Sequence, residues 1–155
     1  MKVKQNLNFK SYSKRVKLAL VVSRFNKNIS DGLLNGAKKL LESLGLQNNF
    51  SVFEVPGAFE IPLVANLCAK SKKYDGVVCL GSVIKGDTPH FDYVCSGVTQ
   101  GVVSSSLQTG IPHGFGVITT NTLKQAIERS SDDDFNKGRE AVLAVLETLQ
   151  TVRKI

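Results

Sequence analysis

The residues able to do chemistry gather in three short segments: Ser23-Arg24-Phe25-Asn26, Pro56-Gly57-Ala58-Phe59-Glu60 and Gly81-Ser82-Val83-Ile84-Lys85-Gly86-Asp87-Thr88-Pro89-His90. The third is the richest. Gly81 and Gly86 have the spacing of a phosphate-binding loop, but Asp87-Thr88 stands where a lysine followed by serine or threonine is required, so the nucleotide reading fails. No Gly-x-Gly-x-x-Gly fingerprint occurs. What remains is a glycine-rich turn feeding a helix, whose backbone N–H groups can hold a small anion with help from the helix N-terminus. An ordinary turn would contain the same residues. His90 stands at the base of this turn, and an imidazole passes protons in either direction near neutral pH; a structural histidine is the alternative. His113, at the start of a strand and without polar company, reads as structural. No activated serine or cysteine nucleophile is visible. No His/Cys/Asp cluster has metal-ligand spacing, so no metal is expected. Cys68, Cys79 and Cys95 are odd in number, widely spaced and set among apolar neighbours, which suits reduced thiols packed as small hydrophobes.

Those segments need elements to hold them, and the pattern supplies strands alternating with helices. Lys17–Ser23 is an apolar run of strand formers. Ile29, Leu33, Ala37, Leu40, Leu41 and Leu44 then recur at helical steps, and Gly45 is a natural stop. Phe50–Val55 reads as a second strand, Ile61 to about Ser71 as a second helix. Gly76–Leu80, apolar throughout, suits a strand buried on both faces. Val94, Val98 and Val102 share one face of a third helix, and Gly114–Thr119 is a fourth strand. Thr122 with Gln125 fits a capping box opening another helix. A last helix runs from about Asn136 with Ala141, Val145, Leu149 and Val152 on one stripe. Such alternation implies βαβ units, a parallel sheet and helices on both faces. The expected fold is α/β, a three-layer αβα sandwich around a four-stranded parallel sheet, in one domain over 1–155. In such sheets ligands bind outside the carboxyl ends of the strands, where all three chemistry-bearing segments fall.

Composition narrows the function classes. The 155 residues are 42% hydrophobic and 21% charged, a globular balance. No apolar run approaches a membrane span, and the polar opening Met1-Lys2-Val3-Lys4-Gln5-Asn6 lacks a signal peptide's apolar stretch, so a cytoplasmic protein is expected. Net charge is +7. Lys2, Lys4, Lys10, Lys14, Arg15 and Lys17 fall within the first 17 positions and point to a basic arm over about 1–15, able to attract polyanions without specificity or simply to be solvated. Aromatics interleaved with Lys and Arg are missing, so no specific nucleic-acid partner is expected.

Taken in order, Phe25-Asn26, Val55-Pro56-Gly57-Ala58-Phe59-Glu60-Ile61-Pro62, Gly81-x-Val83-Ile84-x-Gly86-x-Thr88-Pro89-His90-Phe91-Asp92-Tyr93-Val94, Phe115-Gly116-Val117-x-Thr119-Thr120, Gln125-Ala126-x-Glu128-Arg129 and Asn136-Lys137-Gly138 resemble the lumazine synthase family over about residues 16–150. The resemblance implies a flavodoxin-like fold and a transferase of riboflavin biosynthesis. Its reaction condenses 5-amino-6-(D-ribitylamino)uracil with 3,4-dihydroxy-2-butanone 4-phosphate through a Schiff base, phosphate elimination and ring closure with loss of water. No metal or organic cofactor is implied. By the same resemblance Phe25 would stack on the pyrimidine. Ala58, Phe59 and Glu60 would line the uracil and ribityl pocket, Glu60 doubling as a helix-dipole partner. Ser82, Val83 and Ile84 would meet the uracil through backbone groups. Asp87 and Thr88 would offer amides to the phosphate, and His90 would shuttle protons. Phe115, Arg129 and Lys137 would come from the neighbouring subunit: Phe115 over the pyrimidine, Arg129 on the phosphate and Lys137 near its path. A homo-oligomer follows, a pentamer in the family and in some members an icosahedral shell, with the N-terminal segment free to add a strand to a neighbour and riboflavin synthase as a further partner.

Two departures stand out. Lys85 replaces a common arginine, keeping the charge but losing the bidentate fork. Ser130-Ser131-Asp132-Asp133-Asp134-Phe135 replaces a Gly/Lys/Ala-rich stretch at equal length. These carboxylates would serve the last helix's N-terminus, repel a phosphate or alter contacts between pentamers. No insertion of the kind associated with the family's pentamer-only members precedes the last helix, so the resemblance favours a shell. The alternatives are a non-catalytic shell-forming protein and a flavin-binding module of the same fold.

Overall fold

The computed structural model describes residues 15–155, so the basic arm, apart from Arg15, and the strand it would lend a neighbour lie outside the described residues. Strands β1 (Leu18–Ser23), β2 (Phe50–Val55), β3 (Gly76–Ile84) and β4 (His113–Thr120) form one sheet in the order β2-β1-β3-β4. Every pairing is parallel. Helices α1 (Lys27–Ser43), α2 (Ile61–Lys70), α3 (His90–Thr109), α4 (Leu123–Ser130) and α5 (Lys137–Val152) make the connections and close the chain. This is the three-layer, flavodoxin-like architecture expected from the alternation.

Strand periodicity divides the interior into two cores. Leu18, Leu20, Val22, Val78, Leu80 and Ile118 face one side, against Leu33 and Leu40 of α1, Ala126 of α4 and Leu146 and Leu149 of α5. Ala19, Val21, Val77, Cys79 and Val117 face the other, against Ala65 and Cys68 of α2 and Val98 and Val102 of α3. Each fully buried Leu or Val contributes roughly 1.5–3 kcal/mol, so β1 and β3, buried on both faces, anchor the sheet.

Helix ends follow the local chemistry. Gly45, at φ 72°, takes the left-handed conformation that ends α1. Its N–H bonds the Glu42 carbonyl at 3.0 Å, and the Leu46 N–H bonds that of Leu41 at 2.8 Å, a Schellman pair that also buries Leu46 in the core. The capping box on α4 forms, Gln125 N–H to Thr122 Oγ1 at 3.2 Å and Thr122 N–H to Gln125 Oε1 at 3.3 Å.

Three expectations need correction. β3 runs four residues beyond Leu80, because Gly81, Ser82, Val83 and Ile84 find partners in Val117, Ile118, Thr119 and Thr120. Gly81 is therefore no turn residue; a Cβ there would sit 2.7 Å from Ser23 Oγ and 3.2 Å from Ile61 Cδ1, so it is a close-approach glycine. His113 does have polar company: Nε2 lies 2.9 Å from Ser105 Oγ and Nδ1 2.7 Å from the Ile111 carbonyl. Ser105 Oγ in turn accepts from Asn66 Nδ2 at 3.1 Å, joining α2, α3 and β4. Val152 is exposed rather than on the buried stripe; the helix has by then run past the core, and the next residue, Arg153, reaches Asp75 at 3.6 Å.

The acidic run is absorbed locally. Asp132 pairs with Lys39 of α1, Asp134 lies 3.8 Å from Arg139, and the Asp133 carboxylate accepts the Phe135 N–H at 2.8 Å. These contacts fasten the α4–α5 connection, while Asn136 caps α5.

Candidate active site at the switch point of the sheet

β1 pairs with β2 on one side and β3 on the other, so the chain reverses its direction of travel across the sheet between β1 and β3. The carboxyl ends of strands at such a point part to leave a crevice. A cavity of about 640 Å³ opens there, lined by residues that follow β1 and β2, by the end of β3 and by the first turn of α3.

The segment after β1 is held tightly. Arg24 and Phe25 N–H bond the Val55 and Pro56 carbonyls at 2.8 and 3.0 Å, extending the β1–β2 pairing. Asn26 is left-handed, φ 55° and ψ 53°, a conformation asparagine tolerates better than most residues. Its carbonyl accepts the Ile29 and Ser30 N–H groups that open α1. Its Nδ2 donates to the Ser82 carbonyl at 3.1 Å, and Ser30 Oγ donates to the Phe25 carbonyl at 3.3 Å. Phe25 is left 71% exposed on the cavity wall, a costly place for a phenyl ring unless a ligand covers it.

After β2, Ala58, Phe59 and Glu60 form one 3-10 turn leading into α2. The Glu60 carboxylate accepts the Gly57 N–H at 2.9 Å, which fixes its position and leaves its second oxygen for a ligand. Phe59 lines the cavity and is 60% exposed; its ring passes Gly97 so closely that a Cβ there would come within 2.6 Å.

Ser82, Val83 and Ile84 reach the cavity as the end of β3. The Ser82 carbonyl already accepts from Asn26, and the group without a partner among the described residues is its hydroxyl, on a residue 3% exposed. In the following turn the N–H groups of Gly86, Asp87 and Thr88 donate to no group among the described residues. Thr88 lines the cavity, whereas Asp87 does not. His90 is the first residue of α3 and borders the same space with Phe91, Tyr93 and Val94.

The structure thus brings together Phe25, Ala58, Phe59, Glu60, Ser82, Val83, Ile84, Thr88 and His90. It does not bring Phe115, Arg129 or Lys137 to them within one chain. Phe115 lies opposite Cys79, four residues before Thr119, which pairs with the cavity residue Val83; that is about 13 Å down the strand. Arg129 and Lys137 line a separate cavity of about 450 Å³ with Glu128, Ser131, Asp133 and Phe135. Arg129 Nη1 donates to the Gln125 carbonyl at 3.1 Å, and Lys137 Nζ pairs with Glu140 at 2.7 Å. Sequence reasoning assigned no individual role to Asn26, Gly57, Phe91, Tyr93 or Val94, which also line the wall. Adjacency to Phe25, Ala58 and His90 was the available signal.

All three thiols are held above their ordinary value, which disfavours the nucleophilic thiolate. Burial pushes the Cys79 thiol up to about 12, with Cys68 adding to the shift. Cys68 is raised by burial, and Cys95 by burial and the Asp92 carboxylate. No group of three or more His, Cys, Asp or Glu side chains among the described residues could hold a metal. Among them no helix is long and apolar enough to cross a membrane.

The sequence model of the 6,7-dimethyl-8-ribityllumazine synthase family matches residues 15–153. The chain is 49% identical over 140 residues to a 6,7-dimethyl-8-ribityllumazine synthase of Campylobacter lari, covering 90% of each protein. It is 46% identical over 141 residues to the protein of that name from Lawsonia intracellularis and 47% over 140 residues to that from Salinibacter ruber, again with 90% of each chain covered. Matches of this extent run through every segment of the cavity wall, and the chain belongs to the 6,7-dimethyl-8-ribityllumazine synthase family.

Proposed function

We propose that this chain is a transferase of riboflavin biosynthesis that condenses 5-amino-6-(D-ribitylamino)uracil with 3,4-dihydroxy-2-butanone 4-phosphate to 6,7-dimethyl-8-ribityllumazine, releasing phosphate and water. The observation that carries this reading is the single switch-point cavity joining an exposed phenyl ring, a fixed carboxylate, a strand end and a histidine. Phe25 stacks on the pyrimidine, and Ala58 and Phe59 line its pocket. Glu60 accepts hydrogen bonds from the ribityl hydroxyls. Ser82, Val83 and Ile84 meet the uracil edge, the Ser82 hydroxyl among the groups free to bond it. Asp87 and Thr88 present amide N–H groups to the phosphate of the second substrate.

The chemistry then needs little beyond placement and proton transfer. The pyrimidine amine attacks the ketone, water leaves to form the Schiff base, the phosphate departs, and the remaining amine closes the ring with loss of a second water. Holding the two reactants in one geometry replaces a bimolecular encounter. His90, at the cavity rim, takes protons from the attacking amine and returns them to the leaving oxygens. No step calls on a metal or organic cofactor.

The site is completed between subunits. Phe115 of one chain covers the pyrimidine held by the next, and Arg129 and Lys137 meet the phosphate of the second substrate; a guanidinium fork suits a phosphate dianion. The working form is therefore a homo-oligomer, a ring of five, and the whole chain acts as one catalytic domain in the cytoplasm.

The test is to follow lumazine fluorescence and inorganic phosphate together. Both rise in step and faster than the uncatalysed mixture. His90→Ala lowers kcat toward the bottom of the about 10²–10⁴-fold range for proton carriers, because the condensation also proceeds unaided. Arg129→Ala raises KM for the phosphate substrate. A rate equal to the buffer blank from intact assemblies would refute the catalytic reading and leave a shell-forming protein.

A further inference from the structure

We infer that Asn136 is a positioning residue that locks Arg129 and Lys137 into one phosphate-binding geometry; the inference rests on the reading of those two cations given above. Asn136 is 1% exposed, and its side chain makes five hydrogen bonds. Nδ2 donates to the carbonyls of Gly32 at 3.0 Å, Ser130 at 3.0 Å and Ser131 at 2.9 Å. Oδ1 accepts the N–H groups of Gly138 at 2.9 Å and Arg139 at 3.1 Å. Ser130 and Ser131 directly follow Arg129, Gly138 and Arg139 directly follow Lys137, and Gly32 belongs to α1. One carboxamide therefore ties the end of α4, the start of α5 and the middle of α1 together, across the connection that separates the two cations.

Capping alone does not explain this residue. A helix N-terminus needs only an acceptor, which aspartate or serine supplies as well. Three carbonyls gathered around Nδ2 need donors, and among short side chains only asparagine offers two N–H groups beside an acceptor. Space for it is made on purpose: a Cβ on Gly36 would lie 2.2 Å from Asn136 Oδ1, and one on Gly138 would lie 2.0 Å from the Leu33 carbonyl. The cations themselves have thin support, Arg129 holding only the Gln125 carbonyl and Lys137 only Glu140 among the described residues. Their separation is set by the backbone beneath them, which Asn136 holds from the buried side while the acidic run fastens it from the surface. Groups that bind at this precision depend on such a supporting layer.

Asn136→Ser keeps a cap acceptor and removes both amide N–H donors, leaving a single shorter hydroxyl. It is compared with wild type and with Arg129→Ala by steady-state kinetics with each substrate varied, and by inorganic phosphate as competitive inhibitor. Thermal unfolding and assembly size are recorded alongside. In Asn136→Ser, the KM for the butanone phosphate and the inhibition constant of inorganic phosphate rise about tenfold, while KM for the pyrimidine stays within about twofold. Unchanged phosphate constants in folded Asn136→Ser, with those of Arg129→Ala weakened, overturn the inference alone. A rise of both KM values together overturns it too, because that marks general loosening. Phosphate constants unchanged in Arg129→Ala overturn the phosphate reading itself. Should Asn136→Ser not fold, Gly36→Ala, which presses on the same carboxamide from α1, decides the matter by the same constants.

Discussion

His113 is half-buried among hydrogen-bonding partners on α3 and in the segment just before β4. Burial pulls the His113 imidazole below its ordinary value, and the bond to the Ile111 carbonyl offsets part of that shift. The folded protein therefore prefers neutral His113, while the unfolded chain protonates it at about 6.5. The unfolded state binds more protons below that pH, so the contribution is fully present above about 6.5 and is lost as pH falls toward the depressed folded value. Wild type should lose more thermal stability between pH 7 and pH 5 than His113→Gln does, measured by melting at both pH values; equal losses would show that another group controls the acid limb. A second prediction concerns Asn26. Asn26→Ala removes the tether to Ser82 and places alanine in a left-handed conformation at a cost of about 1–2 kcal/mol, so KM for the pyrimidine rises. Asn26→Gly, which restores the backbone but not the tether, should recover stability and only part of the affinity. At this scale the legible residues were those whose type is odd for their place: Phe25 and Phe59 in loops, Glu60 opening a helix, His90 beside glycine and threonine. The free hydroxyl of Ser82 and the partners of His113 were not legible. The first depends on β4 extending β3. The second depends on Ser105 and Asn66, which approach only when α2 and α3 pack.

Elements were read from periodicity, and periodicity is strongest where one face is buried. The helical steps from Ile29 to Leu41 and from Ala141 to Leu149 match helices α1 and α5, because those residues fill one core. The end of β3 failed the same reading, since Gly81 and Ser82 carry turn chemistry in isolation and strand pairing in context. Caps were legible because their donors and acceptors are local. The box on α4 matters for function as well as stability, since Arg129 is the penultimate residue of that helix. Thr122→Ala leaves the Gln125 N–H without its acceptor and costs about 1 kcal/mol. The melting temperature should drop by a few degrees, and Thr122→Ser should restore most of it. A loss shared equally by both variants would assign the effect to the threonine methyl instead of the cap.

At the scale of the whole molecule, strand order was the missing piece. Alternating elements imply a parallel sheet but do not say which strands are neighbours, and the site exists because β1 sits between β2 and β3. The folded chain also leaves large apolar side chains uncovered: Leu63 and Leu67 of α2, Tyr93 and Leu107 of α3, and Phe115 of β4. α2 and α3 cover one face of the sheet and β4 is its edge strand, and exposed apolar side chains of this size are of the kind buried between subunits. Phe115, Arg129 and Lys137 lie away from the cavity of their own chain, and under the proposed function the complete site takes them from a second chain. This predicts complementation. A His90→Ala chain still carries a sound Arg129, and an Arg129→Ala chain still carries a sound His90. Coexpressed with different tags and purified as mixed assemblies, the two variants should form some sites that combine both sound residues. With random incorporation in a closed ring, about a quarter of the sites do so, and phosphate-release activity should recover toward that fraction of wild type. Each variant assembled alone stays at its own low rate. If mixed assemblies form but activity does not exceed the mean of the two parents, His90 and Arg129 serve the same site from one chain, and the shared-site arrangement fails.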